Sequence, residues 1–194
     1  VVEPEFIIKL IERSKSDPDI GIIGPKIYYY DSKTLWFAGG YLDRQTGFTF
    51  HLGEGEEDKG QYNKQSEVDF ITGCAMLVKR EVFEKIGLLD EDYFNSHEDA
   101  DFCLRAKKAG FRVTYEPKSV IYHKLARSMG GRRSPFYLYY RTRNHLIFKK
   151  KQNLHPPLFW SMFIFLVMKR VFGSLAIAQP KGASATLAGI WDYY

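Results

Sequence analysis

The stretch LLDEDYFNSHEDADFCLRAKKAGFRVTYEPKSVIYH, residues 88–123, contains the signals that decide how this chain folds. Within it, Ser96 is followed three residues later by Asp99, a spacing typical of the capping box at a helix N-terminus. In such a box the serine oxygen accepts a hydrogen bond from a backbone N–H, and the acid accepts one from the backbone N–H of the serine. A helix is therefore predicted to begin near His97, inside a run of acidic residues.

One face of this helix is predicted to be buried. Phe102 and Cys103 recur at the spacing of a single helical face, which indicates an apolar stripe. Asp99 lies at the N-terminal end of the same stripe, so its carboxylate is expected on the buried side. Asp101 and Arg105 lie on another face, four residues apart, where a modest ion pair between solvated or supporting charges is expected.

The chain after this helix predicts two short strands. Gly110 is typical of the left-handed residue that ends a helix. Residues 111–115 then alternate as a half-buried strand does, and Pro117 is expected to end that strand. Residues 120–123 predict a second strand, which ends at His123.

The order of segments along the chain resembles the acceptor half of family 2 glycosyltransferases, most of all their rhamnosyl- and galactofuranosyltransferase-like branch. The similar segments are TGCAML (72–77), REVFEKIGLLDEDYF (80–94), HEDADFCLRAKKAG (97–110), YEP (115–117) and IYH (121–123). The resemblance implies an α/β fold, a partial GT-A-like mixed sheet with flanking helices, followed by a C-terminal helical appendage that is basic and apolar. It implies an acceptor half over residues 1–150 and the appendage over residues 151–194.

The same resemblance implies inverting transfer of a sugar from a nucleotide-diphosphate donor to a hydroxyl of a glycan or lipid-linked acceptor. In the family, the second acid of the EDxD pattern is the general base, which corresponds to Asp99 here. A later histidine, which corresponds to His123, helps to hold a divalent cation, Mg²⁺ or Mn²⁺. The implied acceptor-binding residues are Gly73, Cys74, Tyr93, Phe94, His97 and Glu98. A base beside the hydroxyl and positive charge beside the leaving group are what this chemistry requires.

Structural alternatives exist for both central residues, because Asp99 can be a simple helix cap and His123 a strand-end histidine. Two acidic triplets, residues 90–92 and 99–101, match the DxD metal pattern, but such triplets are too short to count as evidence. In the family the metal motif and the nucleotide-binding strands precede the segment that resembles Val1 onward. The chain is therefore expected to be truncated before that motif and inactive by itself.

Apolar periodicity elsewhere predicts further elements of the α/β fold. Helices are expected over residues 3–14, 80–86 and 136–151, and strands over residues 20–30 and 68–78; residues 35–42, with Gly39 and Gly40, predict a turn into another strand. The last strand is interrupted at Thr72 and Gly73, which indicates either a bulge or the close approach of a ligand. The acidic, glycine-containing residues 51–66 predict a solvated loop, with an acceptor-facing loop as the alternative.

Charge is divided unequally along the chain. Residues 1–104 carry 11 basic and 21 acidic side chains, whereas residues 105–194 carry 17 basic and 2 acidic ones. The second part is therefore expected to face a diphosphate donor, a lipid pyrophosphate, an anionic membrane or a nucleic acid. Arg127, Arg132 and Arg133 lie in a loop with two adjacent glycines, which indicates either a lid over the donor diphosphate or a flexible basic linker.

The most apolar run, LFWSMFIFLVM (158–168), is eleven residues long, well short of the ~20 needed to cross a bilayer as a helix. Lysines flank it on both sides, so it is predicted to lie peripherally on the anionic inner face of the cell membrane. The protein is accordingly expected in the cytoplasm. A helix packed on the domain or on a dimer partner is the alternative.

The composition, 45% hydrophobic and 16% aromatic in 194 residues, predicts one folded core and excludes disordered and fibrous classes. Cys74 and Cys103 have no metal-ligand spacing and are interpreted as small core residues. Two other functions compete: a basic nucleic-acid-binding module and a non-catalytic, membrane-associated scaffold. No recognition-helix, stacking or zinc signature supports the first, so nucleic acid is not an expected partner.

Overall fold

A computed structural model describes residues 1–30, 32–124 and 130–194. Backbone contacts divide these residues into two units. Among the described residues, the first unit comprises 1–42, 49–90 and 99–124, and the second comprises 43–48, 91–98 and 130–194. The domain boundary predicted after residue 150, between the acceptor half and the C-terminal appendage, stays a prediction.

The first unit is built on a mixed sheet, which confirms the α/β prediction. Its strands are β1 (Ile20–Tyr29), β2 (Leu35–Phe37), β3 (Gly40–Leu42), β4 (Thr49–His51), β5 (Ser66–Glu67), β6 (Leu77–Val78) and β7 (Arg112–His123). The five-stranded sheet has the order β2-β1-β7-β5, with β6 also paired to β1, and β3 and β4 form a separate pair. The helices are α1 (Phe6–Ser16), α2 (Arg80–Ile86) and α3 (Glu98–Lys108).

The two central strands, β1 and β7, are parallel and largely buried. Pro117 does not end β7 as predicted, because the register shifts at this point. Glu116 pairs with Pro25, and the next pair joins Val120 to Lys26. Such a bulge leaves the proline outside the hydrogen-bonded ladder, so the strand continues past it to its last residue, His123.

Packing on the sheet follows the predicted apolar faces. Leu10 of α1 packs against Ile20 and Ile23 of β1 in one core cluster. Phe102 and Cys103 of α3 are fully buried, which confirms the predicted stripe. Burying apolar surface in this way contributes roughly 25 cal/mol per Å².

The second face of α3 contains the predicted ion pair, and its charges are supporting ones rather than solvated ones. Asp101 has only 1% of its surface exposed and forms an ion pair with Arg105 at 2.8 Å. The Arg105 guanidinium also donates to the carbonyls of Ile86 and Leu88, at 2.7 and 2.9 Å. The pair is therefore a buried structural link between α3 and the chain that follows α2.

Three local predictions are corrected by the structure. Ser96 has a φ of 71° and not the extended backbone of an N-cap residue, so α3 begins at Glu98 without the predicted box. Residues 68–78 form no continuous strand, because a turn at 73–74 separates β5 from β6. Cys74 is exposed, whereas Cys103 is buried as expected, and both cysteines are free.

Residues 51–66 are more than a solvated loop. The Lys26 ammonium, on a side chain 3% exposed, forms an ion pair with the Asp58 carboxylate at 2.7 Å. Lys26 also donates to the Asn63 side chain, and the Tyr28 hydroxyl donates to Asp58. A buried charge pair therefore fixes this segment to β1.

The second unit is helical. It contains a 3₁₀ turn (Glu91–Tyr93) and three helices, α4 (Pro135–Lys151), α5 (Phe159–Ala176) and α6 (Pro180–Trp191). Its core cluster joins Leu146 to Phe159 and Phe163. The helix predicted from the apolar run is longer than that run, because α5 continues through eight further residues after Met168. Among the described residues, α5 alone is long and apolar enough to be a candidate membrane span.

Candidate active site

Asp99 lies in the first turn of α3 with its carboxylate half-buried. One carboxylate oxygen accepts a hydrogen bond from the backbone N–H of Gly73 at 2.9 Å, and the other from the N–H of Ala100 at 2.7 Å. The two backbone donors hold both oxygens in fixed directions. Because each oxygen has a second lone pair, the group can still accept a proton from a substrate hydroxyl.

The turn that contacts Asp99 contains two of the predicted acceptor-binding residues. Gly73 and Cys74 are both exposed, and they follow the buried residues Ile71 and Thr72. The chain therefore leaves the core just where it meets the carboxylate. The structure brings two predicted site residues, Asp99 and Gly73, into direct contact. Binding of an acceptor by these residues stays a prediction.

Residues 93–97, named here the strained loop, precede α3. Three of its non-glycine residues have left-handed backbone, with φ of 54° at Phe94, 71° at Ser96 and 75° at His97. Each such residue costs roughly 1–2 kcal/mol relative to ordinary backbone. Clusters of this kind persist only where surrounding contacts hold them, and they are frequent at functional sites.

Two neighbouring residues of α4 hold the strained loop. The Asn144 side-chain amide donates to the backbone carbonyls of Tyr93 at 2.7 Å, Asn95 at 2.6 Å and Ser96 at 2.9 Å. Arg143 donates to the carbonyl of Asp92 at 2.9 Å. Sequence reasoning assigned no role to this pair. The signal that could have found it is a strongly polar residue, Asn144, just before the apolar run at residues 146–148 of a helix.

The other predicted acceptor residues differ in exposure. Phe94 is 70% exposed, whereas Tyr93 is 0% and His97 is 3% exposed. Glu98 is half-buried. Contact with the acceptor stays a prediction for all of these residues, and the exposure of Phe94 favours it there. Tyr93 and His97 are buried, as side chains that support the loop are.

A histidine pair is buried behind the loop. The rings of His97 and His145 are 4.3 Å apart between centroids, and both side chains are nearly without exposed surface. Burial, together with the nearby Arg141 and Arg170 guanidiniums, holds the pKa of each histidine well below its ordinary value. Both imidazoles are therefore neutral in the folded protein. Burial and Arg141 also lower the pKa of Arg170 to about 10.

We expect the free energy of unfolding to fall on acidification because of this pair. Below about pH 6.5 these two histidines bind protons in the unfolded chain but stay neutral in the folded protein. Each histidine therefore lowers the free energy of unfolding by about 1.4 kcal/mol per pH unit. Urea unfolding at pH 7.5, 6.5 and 5.5 measures the slope. His145→Phe should reduce it, and the exposed His155→Gln should leave it unchanged. An equal slope in wild type and His145→Phe would contradict this explanation.

His123 ends β7, where its ring lies 4.6 Å from the Trp36 ring. Burial, and then the amino group of Val1, lower the pKa of His123, so the imidazole is neutral and able to bind a metal. However, the described part of the chain contains no group of three or more His, Cys, Asp or Glu residues able to hold a metal. These residues alone do not form a metal centre, and His123 as a ligand stays a prediction.

The basic loop is described only in part. Arg127 lies outside the described residues. Arg132 and Arg133 are exposed in the turn that leads to α4, whose N-terminus is capped by the Ser134 hydroxyl accepting from the Tyr137 N–H at 3.1 Å. Two exposed guanidiniums can engage phosphate oxygens, and a lid over the donor diphosphate stays a prediction.

Comparison with known proteins identifies the family. A family model described as Glycosyltransferase like family 2 matches residues 1–144. The chain belongs to this family. The mixed sheet of the first unit agrees with a partial GT-A-like fold, the fold class expected for a family 2 member.

Three relatives from bacteria are similar to parts of this family 2 chain. A dTDP-rhamnosyl transferase, RfbF of Shigella flexneri, is 32% identical over 63% of the chain and 42% of its own length. The N-acetylglucosaminyl-diphospho-decaprenol L-rhamnosyltransferase of Mycobacterium tuberculosis is 38% identical over 32% of the chain and 20% of its own length. Rhamnosyltransferase WbbL of Escherichia coli is 42% identical over 26% and 19%. The chain thus spans less than half the length of these relatives.

Proposed function

We propose that this chain is the acceptor side of an inverting glycosyltransferase in which Asp99 is the general base. The observation that carries the proposal is the half-buried carboxylate of Asp99, held by two backbone N–H groups beside the exposed turn at Gly73. Membership of family 2 supports the reaction class.

The proposed reaction is a single displacement that uses this carboxylate. Asp99 accepts the proton of an acceptor hydroxyl while the hydroxyl oxygen attacks the anomeric carbon of the donor sugar from the face opposite the diphosphate. The bond between that carbon and the diphosphate oxygen breaks, and the nucleotide diphosphate leaves with the electron pair. Asp99 ends the step as a carboxylic acid and loses its proton to water. One displacement inverts the anomeric configuration.

The proposed donor is a nucleotide-diphosphate sugar, and the proposed acceptor is a glycan or lipid-linked sugar used to build a cell-surface polysaccharide. The names of the relatives support both, since all three are rhamnosyltransferases by name and the name of one includes a diphospho-decaprenol-linked sugar. dTDP-rhamnose is the first donor to test because of the Shigella relative. Dependence on Mg²⁺ or Mn²⁺ is part of the proposal.

The assay is sugar transfer by the full-length protein, with a panel of nucleotide-diphosphate sugars and a lipid-diphosphate-linked acceptor. Release of one nucleotide diphosphate per sugar transferred, with inverted configuration in the product NMR spectrum, is expected. Retained configuration would exclude the single displacement. Absence of transfer from every donor, together with salt-sensitive binding of RNA or DNA, would favour the nucleic-acid alternative.

Peripheral contact with the inner face of the cell membrane is also proposed, and α5 supports it. Trp160, Ile164, Met168 and Phe172 form one stripe at four-residue spacing, and each is about half exposed. At 1.5 Å per residue the 18-residue helix is ~27 Å long, slightly less than a ~30 Å hydrocarbon core. Lys169 lies within it and is exposed, which favours a helix lying in the plane of an anionic membrane.

We expect the double variant Ile164→Ser/Phe165→Ser to bind vesicles containing phosphatidylglycerol about 10²-fold more weakly than wild type, because two large apolar side chains no longer enter the lipid. Co-sedimentation measures binding. Leu187→Ser, at an exposed position of α6, is the matched control and should bind normally. Unchanged binding of the double variant, or retention of wild type in membranes washed with alkaline carbonate, would contradict in-plane contact.

A further inference from the structure

The strained loop depends on α4 for its conformation. The Asn144 side chain is fully buried, and its amide faces three carbonyls of the loop, those of Tyr93, Asn95 and Ser96. An NH₂ group has two hydrogens, so at least one of them is shared between two carbonyls. A single side chain therefore satisfies three backbone acceptors in the segment that joins the 3₁₀ turn to α3.

The orientation of the Asn144 amide is set by its neighbour. The Arg143 guanidinium donates to the Asn144 side-chain oxygen at 3.3 Å and to the carbonyl of Asp92 at 2.9 Å. Because that oxygen meets a donor and the nitrogen meets only acceptors, no flipped amide would fit. The two residues together hold the chain from Asp92 to Ser96.

Ring contacts to the same helix hold the rest of the loop. The Phe94 ring lies 5.2 Å from the Tyr140 ring, and the His97 ring lies 4.3 Å from the His145 ring and 5.4 Å from the Phe148 ring. Each of the three left-handed residues of the loop thus contacts at least one side chain of α4. A segment with this backbone would relax without such contacts.

We propose that Asn144 is a positioning residue for sugar transfer, which holds the strained loop so that the chain enters α3 with the Asp99 carboxylate in a productive direction. The proposal rests on the function proposed above for Asp99. The loop ends at His97, two residues before Asp99, so its path sets where the first turn of α3 begins. Asn144 acts through the backbone and does not itself contact the reacting atoms.

The experiment compares Asn144→Ala with Thr142→Val in the full-length protein. Thr142 is a matched control because it is equally buried on α4, but its hydroxyl donates to Leu138 and accepts from Arg170, with no bond to the loop. Hydrogen exchange of the peptide covering residues 93–100 reports the loop, and steady-state kinetics report transfer. Asn144→Ala should exchange faster in this peptide and lose about 10²-fold in kcat, since small misplacement of a catalytic group has effects of this size.

The donor KM should stay within about threefold of wild type in both variants, because the loop is not assigned a donor contact. Thr142→Val should keep wild-type exchange in the loop and wild-type kcat. Unchanged exchange in Asn144→Ala, or equally faster exchange in Thr142→Val, would overturn the holding role. Faster exchange with unchanged kcat would overturn positioning while leaving the proposed function intact. Absence of transfer by wild type would overturn the proposed function, and the exchange data would still decide whether Asn144 holds the loop.

Discussion

Asp99→Asn is expected to lower kcat for sugar transfer about 10³-fold, within the 10²–10⁴ range typical of general-base removal. The asparagine amide cannot accept the proton of the acceptor hydroxyl. Donor KM should change little, because the carboxylate is assigned to the acceptor. Initial rates with saturating donor and varied acceptor measure the effect.

The structure also predicts a smaller, structural effect of this change. Both Asp99 oxygens accept backbone N–H groups, from Gly73 and Ala100, and asparagine offers only one oxygen. Its NH₂ would face one of these donors, which costs about 1–3 kcal/mol of stability. The free energy of unfolding of Asp99→Asn should therefore be measured in urea alongside its kinetics, so that a loss of stability is distinguished from a loss of kcat.

Asp92→Asn is a suitable control, because it removes an exposed acid that forms an ion pair with Lys151. It should change neither stability nor kcat appreciably. If Asp99→Asn shows the stability loss but retains near-normal kcat, Asp99 is a structural acid and the scaffold alternative gains support. Equal loss of activity in Asp92→Asn would show that the effect is not specific to the proposed base.

Asp58→Ala is expected to destabilise the first unit by about 3–5 kcal/mol, the usual cost of removing one partner of a buried ion pair. The change leaves the Lys26 ammonium in a site where its side chain is 3% exposed, and it also removes the acceptor of the Tyr28 hydroxyl. Denaturant unfolding followed by tryptophan fluorescence measures the loss, with Trp36 as a reporter within this unit.

The neighbouring pair of Lys59 and Glu57 supplies the control. Its charged atoms are 3.9 Å apart and both side chains are largely exposed, so Glu57→Ala should cost no more than about 1 kcal/mol. The double variant Lys26→Met/Asp58→Leu should recover most of the loss, because no unpaired charge is left buried. Equal small effects at Asp58 and Glu57 would mean that the buried pair adds nothing to stability.

Local patterns in the sequence determined much of the fold. The helix predicted over residues 80–86 is α2 with the same limits, and Gly110 has the positive φ expected of a helix stop. The apolar face of α3 and the place of Asp99 at its start were also predictable. These features depend on hydrogen bonds and side-chain periodicity within a few residues, so the sequence contains all the information that they require.

The tertiary structure alone decided which polar groups are buried and what they bond. Sequence reasoning expected the ion pair of Asp101 with Arg105 but not the burial of Asp101, and it placed Asp58 in a solvated loop, whereas both carboxylates lie in buried positions with a charged partner. It assigned no role to Asn144, whose loop partners are about 50 positions away. A polar side chain is stable in the interior only where a partner of matching chemistry meets it, and partners distant in the chain are brought together only by folding.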